Sequence, residues 1–245
     1  MEIYFDLENT LLNKEKTLFP KAKESLIELT KKHKIVILTS ASFFESNELL
    51  DIPNLQIVST LENKSYLNGE YQYEPLNCVE IASLLNSSDV YTLYAAEGKT
   101  SYIIKYQERM KNFYPGRLIK ICNLFPKSIA SFILAIYNTG LDSIRNTLKN
   151  YHIETLASNA KKTLLLISKT PSTKEEWLKK LKKSPAIGIG DSNTDYEFIK
   201  HCEVQVAMKN GDEELKALCN FVTNKTNQEN GALDFVITYL KHQQA

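Results

Sequence analysis

FDLENTLL, residues 5–12, and IGIGDSNTD, residues 187–195, are the stretches whose reading decides the fold. In each, an apolar run stops at an acid: Ile3-Tyr4-Phe5 ends at Asp6, and residues 186–189 end in Gly190-Asp191. Between them lies Ile35-Val36-Ile37-Leu38, closed by Thr39 and Ser40. Runs apolar at nearly every residue read as strands covered on both faces, as parallel strands are. A helix is expected from Pro20, which suits a first helical position, with Leu26, Ile27 and Leu29 turned inward. In a parallel α/β sheet the ligand crevice opens at the carboxyl ends of the strands. The residues standing there are Asp6, Thr39 and Asp191.

Working outward, Gln56-Ile57-Val58 reads as a third strand, and Ser42 or Ser46 as the cap of a short helix running to Leu50. Tyr66-Leu67-Asn68-Gly69-Glu70-Tyr71 is a hairpin signal, because Asn-Gly tolerates the positive φ angles of a two-residue turn. From Cys78 onward the pattern predicts a helix at 79–85, a strand at 90–95 and a longer helix at 100–113. A strand at 131–137, a helix at 141–149 and strands near Ile153 and at 163–167 follow. These stretches contain few residues of evident chemical intent. They read as a smaller α/β module, 78–168, inserted into a core made of 1–77 and 169–245. The core resumes with a lysine-rich helix at 174–183, whose apolar stripe is Trp177, Leu178 and Leu181. A helix at 195–201, a strand at 204–207 and helices at 212–218 and 232–240 complete it.

Composition narrows the function classes. The 245 residues are 43% apolar, ample for a packed core, and 30 basic residues against 29 acidic ones leave a net charge of +1. No global field attracts nucleic acid or an anionic membrane. Lys31-Lys32 with Lys34, and Lys179-Lys180 with Lys182-Lys183, fit solvated helix faces. No apolar run has the length of a membrane span, and MEIYFDLENT lacks the regions of a signal peptide. Cys78, Cys122, Cys202 and Cys219 are scattered without a C-x-x-C pair, and the four histidines lack metal-ligand spacing. The expectation is a cytoplasmic protein, monomer or homodimer, with no nucleic-acid or membrane partner.

The acids at the strand ends suggest phosphate chemistry. A carboxylate nucleophile at Asp6 splits phosphate transfer into two steps through an acyl-phosphate. Glu8, two residues on, could protonate the leaving oxygen and then deprotonate water. A strand-ending aspartate that accepts turn amides is the plainer alternative. Asp191 and Asp195 are hard oxygen ligands of the kind that suits Mg2+, although Ser192 or Asn193 could also make this an ordinary helix cap. A dinucleotide-binding reading of Gly188 and Gly190 fails because the third glycine is missing. Thr39 could bond a phosphoryl oxygen and Lys174 could offset negative charge, both electrostatic tasks.

FDLENTLL, IVILTSAS, the Lys174 helix and GDSNTD occur in that order, and the whole resembles the haloacid dehalogenase superfamily, most closely its Cof-like phosphatases. Leu61-Glu62-Asn63 resembles that branch's Glu-Asn-Gly segment. Residues 206–211, Val-Ala-Met-Lys-Asn-Gly, resemble its Val-Ala-Met-Gly-Asn-Ala, and Gly231-Ala232 fits its last helix. The resemblance implies a Rossmann-like parallel-sheet core with an α/β cap inserted between Thr39 and Lys174. It implies a Mg2+-dependent phosphatase acting on small phosphorylated metabolites, sugar phosphates above all. Asp6 would be nucleophile and metal ligand, and Glu8 acid and base with its backbone carbonyl on the metal. Thr39, with Ser40 beside it, would bind phosphate. Lys174 would pair with Asp6 and phosphate, Asp191 would ligate the metal, and Asp195 would orient metal-bound water or Lys174. Candidate substrate contacts in the cap are Tyr91, Tyr94, Lys99, Lys105 and Arg109. The chain departs from the branch at Glu8, usually Asp; Asn9, commonly Gly; Thr194, usually Asn; Lys64, usually Gly; and Ser40-Ala41, often Gly-Arg. Two other readings follow: phosphotransfer between hydroxyls, as in the related phosphomannomutases, and a catalytically weak binding or regulatory protein, which Glu8 favours.

Overall fold

The apolar runs that end in acids lie side by side at the centre of a sheet in the computed structural model. The structure describes residues 1–43, 47–82, 84, 87–97, 100–104, 118–121, 129–181 and 186–243. Two compact units are present: Met1–Thr60 with Ser65–Gln72 and Thr173–Ala245, and Leu61–Lys64 with Tyr73–Ser172.

The first unit begins with β1 (Glu2–Phe5), α1 (Pro20–Thr30), β2 (Lys34–Thr39) and β3 (Leu55–Ser59), followed by the hairpin β4 (Lys64–Leu67) and β5 (Glu70–Gln72). The second unit holds α2 (Cys78–Ala82), β6 (Val90–Glu97), β7 (Thr100–Ile104), β8 (Leu118–Ile121), β9 (Ser131–Tyr137), α3 (Leu141–Thr147), β10 (His152–Ser158) and β11 (Lys162–Ser168). The first unit resumes with α4 (Lys174–Leu181), β12 (Ile187–Gly190), α5 (Tyr196–Ile199), β13 (Val204–Ala207), α6 (Glu213–Leu218), β14 (Phe221–Val222) and α7 (Gly231–Gln243).

The first unit's sheet has the order β14-β13-β12-β1-β2-β3-β4-β5. Strands β14 through β3 in that order are parallel, while β4 and β5 form the antiparallel hairpin. Asn68 and Gly69 both take positive φ at its turn, as the Asn-Gly signal required. The chain steps outward from β1 to β2 and β3, then returns to β12 on the other side of β1. That reversal between β1 and β12 is where such sheets open a ligand crevice. Phe5 is level with both Ile37 and Ile189, so Asp6 and Asp191 emerge at the same end of the sheet.

Side-chain alternation decides which way Asp6 points. Ile3, Phe5, Ile37 and Ile189 pack on one face with Leu26 of α1 and Val236 of α7. Tyr4, Val36 and Leu38 pack on the other with Trp177 and Leu178 of α4 and Phe198 of α5. Asp6 follows Tyr4 at a spacing of two, so it belongs to the α4 face. Pro20 opens α1 as expected, and the α/β reading of the chain holds.

The second unit's sheet has the order β10-β11-β9-β6-β7-β8, antiparallel except for β7 beside β8. Its core joins Ile81 of α2 and Ile144 of α3 to Leu93, Phe132, Leu134, Leu165 and Ile167. Its edges lie beyond 78–168: residues 73–77 and 169–172 pack with it, and Ser131 Oγ donates to the Leu61 carbonyl at 2.9 Å.

The helix expected at 100–113 is corrected over residues 100–104. Residues 100–104 form β7, antiparallel to β6 through Tyr94↔Ile103 and Glu97↔Thr100. Thr100, Tyr102, Ile103 and Ile104 are β-branched or aromatic, and a neighbouring strand was available to pair with them. Residues 105–113, like Ser46, Cys122, Lys182 and Lys183, lie outside the described residues. Strands β8 and β14 were not anticipated. Among the described residues no helix is long and apolar enough to cross a membrane.

Candidate active site

The tip of β1 is still tied into the sheet, since Asp6 N–H donates to the Ile189 carbonyl at 2.9 Å. The chain then coils tightly, with the N–H groups of Leu11 and Leu12 both reaching the Leu7 carbonyl. Asn9 enters this turn at φ 55, a left-handed conformation that asparagine tolerates better than most side chains. Its carbonyl accepts from Asn210 Nδ2 at 2.9 Å, and Asn210 Oδ1 accepts from the Asn227 N–H at 2.9 Å. Asn227 Nδ2 in turn reaches the Leu12 carbonyl at 2.8 Å. Two distant turns thus hold the loop after Asp6 in place.

At the tip of β12 the chain forms a capped turn. Asp195 Oδ2 accepts from the N–H groups of Asp191 and Ser192, each at 2.9 Å, and from Ser192 Oγ at 3.1 Å. The helix-cap reading is therefore correct for Ser192, and it leaves the other Asp195 oxygen free to face inward. Asp191 is held from two sides: Thr10 Oγ1 donates to its carboxylate at 3.3 Å, and Asp212 N–H to its carbonyl at 2.7 Å.

Gly190 lets this turn close. A Cβ there would sit 2.5 Å from Asp195 Cβ and 2.6 Å from Asp195 Oδ2. Gly190→Ala should therefore push Asp195 off its turn and cost roughly 1–3 kcal/mol of stability, as overpacking does. A urea unfolding midpoint indistinguishable from wild type would show that the turn is looser than this.

Lys174, first residue of α4, is 4% exposed. Its Nζ donates to Asp6 Oδ1 at 2.6 Å and also to Asp195 Oδ1. Burial alone would lower the lysine's pKa, but the two carboxylates outweigh it and hold the ammonium charged. One carboxylate oxygen from each of Asp6, Asp191 and Asp195 lies within 4.8 Å of the others. Burial raises the pKa of Asp6; Lys174 opposes that shift, while Asp195 and Asp191 add to it. Burial also raises Asp191, to about 6, with Asp195 pushing the same way and Thr10 against it. Three carboxylates crowd around one ammonium, and the group is short of positive charge.

The structure thus gathers Asp6, Lys174, Asp191 and Asp195. Thr39 is fully buried at the end of β2, its Oγ1 accepting from the Ala41 N–H at 2.9 Å, and Ser40 beside it is exposed. Glu8 does not join the acidic group. Its carboxylate bonds Lys16 Nζ at 3.0 Å, with the two side chains 40% and 64% exposed. In the second unit Tyr94 is buried and the Tyr91 ring centroid lies 3.7 Å from Lys162 Nζ. Lys99, Lys105 and Arg109 lie outside the described residues. Thr10, Asn210 and Asn227 went unnamed as site residues in the sequence, although Thr10 and Asn210 stand inside the two motifs quoted for the resemblance.

A doubly wound sheet whose first strand delivers an aspartate to a buried lysine, with two more aspartates in the turn that follows the strand alongside, defines an α/β protein with an acid-lined site at the carboxyl ends of its strands. More specifically, this chain belongs to the haloacid dehalogenase-like hydrolases, whose family model matches residues 3–236. A haloacid dehalogenase-like hydrolase from Bacteroides thetaiotaomicron shares the fold with a TM-score of 0.70 at 18% identity, covering 97% of this chain and 98% of that one. BT1666 from the same organism, described among the phosphatases of the superfamily, aligns with a TM-score of 0.65 at 15% identity, covering 98% and 94%. A curated phosphoglycolate phosphatase from Sulfolobus acidocaldarius is 39% identical over 62 residues, 23% of this chain and 27% of that protein. The match to this relative therefore spans about a quarter of its length.

Proposed function

We propose that this chain is a Mg2+-dependent phosphatase that hydrolyses small phosphorylated metabolites through an aspartyl-phosphate on Asp6. The observation that carries the reading is Lys174 Nζ, buried and bonded to both Asp6 and Asp195 while Asp191 stands alongside. The donor set fits a hard divalent cation: all carboxylate, closely spaced, with Asp6 and Asp191 raised in pKa by burial and by the neighbouring aspartates. Asp6 and Asp191 would hold the ion, together with the Glu8 backbone carbonyl. Mg2+ bound there supplies charge that stabilises the phosphoryl oxygens.

Asp6 attacks phosphorus with its second oxygen, forming an Asp6 O–P bond as the ester P–O bond breaks. Glu8, whose carboxylate bonds Lys16 in this structure, would turn inward to give its proton to the departing oxygen. Water then attacks phosphorus while Glu8 takes the water's proton, and the Asp6 O–P bond breaks to release phosphate. Lys174 restrains Asp6 and offsets the charge that gathers on the phosphoryl group, and Asp195 fixes Lys174. Thr39 and Ser40 stand at the crevice end of β2 to receive the phosphate. The substrate class is phosphomonoesters of small metabolites, with sugar phosphates and phosphoglycolate as the first to test. The test is phosphate release from such a panel, with and without Mg2+.

Metal binding also has a pH signature. Asp6 and Asp191 have raised folded pKa values, so the native state holds protons that the unfolded chain has lost. Their contribution to stability is full below the ordinary carboxylate range and is lost as pH rises through the folded values. Mg2+ should reverse that loss. Its effect on melting temperature should be small near about pH 5 and reach roughly 5–10 °C near about pH 8 at saturating metal. Thermal denaturation with Mg2+ or a chelator reads this directly. A shift that did not grow with pH would count against these two aspartates as ligands.

A further inference from the structure

One turn of the chain, residues 208–212, touches both of the loops that carry the metal-binding acids. On one side it meets the loop after β12: Met208 N–H donates to the Gly190 carbonyl at 2.9 Å and Asp212 N–H to the Asp191 carbonyl at 2.7 Å. The approach is so close that a Cβ on Gly211 would sit 2.6 Å from the Asp191 carbonyl oxygen. On the other side Asn210 reaches the loop after β1, donating from Nδ2 to the Asn9 carbonyl at 2.9 Å. Asn210 is itself steadied by the Asn227 N–H, which donates to its Oδ1 at 2.9 Å. Asn227 is 5% exposed and is fixed in place through Nδ2 on the Leu12 carbonyl at 2.8 Å.

Asp6 and Asp191 each present one carboxylate oxygen, and the two lie within 4.8 Å of each other. Like charges that close repel, so loops bearing them spread unless something ties them together. Thr10 Oγ1 links the first loop to Asp191 Oδ1, but at 3.3 Å that is a long bond for a hydroxyl donor and a weak tie. Asn210 is exposed and fills no part of the core. Water could meet both ends of its carboxamide at little cost to folding, since such bonds contribute only about 0.5–1.5 kcal/mol each. What water could not do is join the loops. We propose that Asn210 is a positioning residue, which ties the Asp6–Thr10 loop to the turn that grips Asp191 and so keeps the two aspartates at the spacing a divalent cation needs. The proposal rests on the Mg2+ reading above and adds to it a residue that is not itself a ligand.

Mg2+ alone is the probe, with no substrate present. Melting temperature is followed across a Mg2+ titration near about pH 8, and the concentration dependence gives an apparent dissociation constant. The proteins are wild type, Asn210→Ala, Asn68→Ala, Thr10→Val and the Thr10→Val/Asn210→Ala double variant. Asn210→Ala should weaken Mg2+ binding about tenfold, the lower end of what losing an outer partner of a metal ligand costs. Without metal it should melt only about 2–4 °C early, as the loss of one surface hydrogen bond does. Asn68→Ala is the comparison, because it removes a bond of like kind, from the Asn54 N–H at 2.8 Å, at the hairpin of β4 and β5. It should melt at least as early and bind Mg2+ as wild type does. In Thr10→Val, which lacks the hydroxyl on Asp191, adding Asn210→Ala should cost less affinity than it does in wild type. Equal Mg2+ affinity in wild type and Asn210→Ala overturns the proposal. So does a matching loss in Asn68→Ala, which makes the effect one of general stability, or an undiminished loss in the Thr10→Val background, which puts the action of Asn210 elsewhere. Each of these leaves the metal reading standing, whereas a wild type whose melting temperature does not respond to Mg2+ sinks that reading and this inference together.

Discussion

Asp6→Asn is expected to abolish phosphate release, by at least about 10³-fold on every substrate the wild type accepts. The carboxamide has nearly the shape of the carboxylate, but it cannot form the acyl-phosphate. The variant should fold well. Asp6 is 6% exposed and its charge is disfavoured by burial and by two neighbouring aspartates. Replacing that charge with a neutral amide relieves repulsion, although one bond to Lys174 is weakened. A melting temperature close to wild type with activity gone would show that chemistry alone was removed. Retained release in Asp6→Asn would end the proposed mechanism. Interconversion of sugar phosphates without release would move the assignment to phosphotransfer between hydroxyls. If both forms are inert on the whole panel while a phosphorylated ligand still binds, the chain is a binding protein.

Lys174→Met is expected to damage stability and rate together. Methionine fills a similar volume but leaves Asp6 and Asp195 facing each other, buried, without the shared ammonium. Breaking a buried ion pair from one side costs about 3–5 kcal/mol, which lowers the melting temperature by roughly 10 °C in a chain of this size. The loss has a pH sign. Without the lysine, which opposes the effect of burial on Asp6, that acid is more easily protonated, and protonation relieves the repulsion. The destabilisation should therefore be largest at high pH and shrink on acidification. Adding Asp195→Asn should recover part of the stability and none of the activity, which falls about 10²-fold or more with the lysine. Circular dichroism melts at two pH values, set beside the phosphate-release assay, separate the two effects. A Lys174→Met variant as stable as wild type at high pH would mean the three groups are not held together as described.

Much of the first unit could be read from local pattern. β1, β2 and β12 are apolar on almost every residue, and the abrupt switch to Asp6, Thr39 and Asp191 marks where each strand leaves the sheet. Residues 100–104 have a spacing that suits a helix, but they found a partner in β6 from the neighbouring stretch of chain. Pairing partners are invisible to any window of sequence. The same limit applies at the site. A lysine at the start of a lysine-rich helix carries no mark of burial, yet Lys174 is enclosed while Lys179 and Lys180 of the same helix are exposed. Glu8 shows the converse: its place in the motif suggested an inward acid, and its carboxylate lies instead against a lysine eight residues further on.

The amino-acid sequence by itself determined the strands and the acids at their tips, because these follow from the period and reach of a local backbone. Tertiary structure alone decided which of those acids meet. Asp6 and Lys174 are 168 residues apart, and the return of the chain to β12 beside β1 brings them together. Burial then sets their charges, because the cost of taking a carboxylate out of water, and the neighbour that offsets it, depend on packing rather than on residue type.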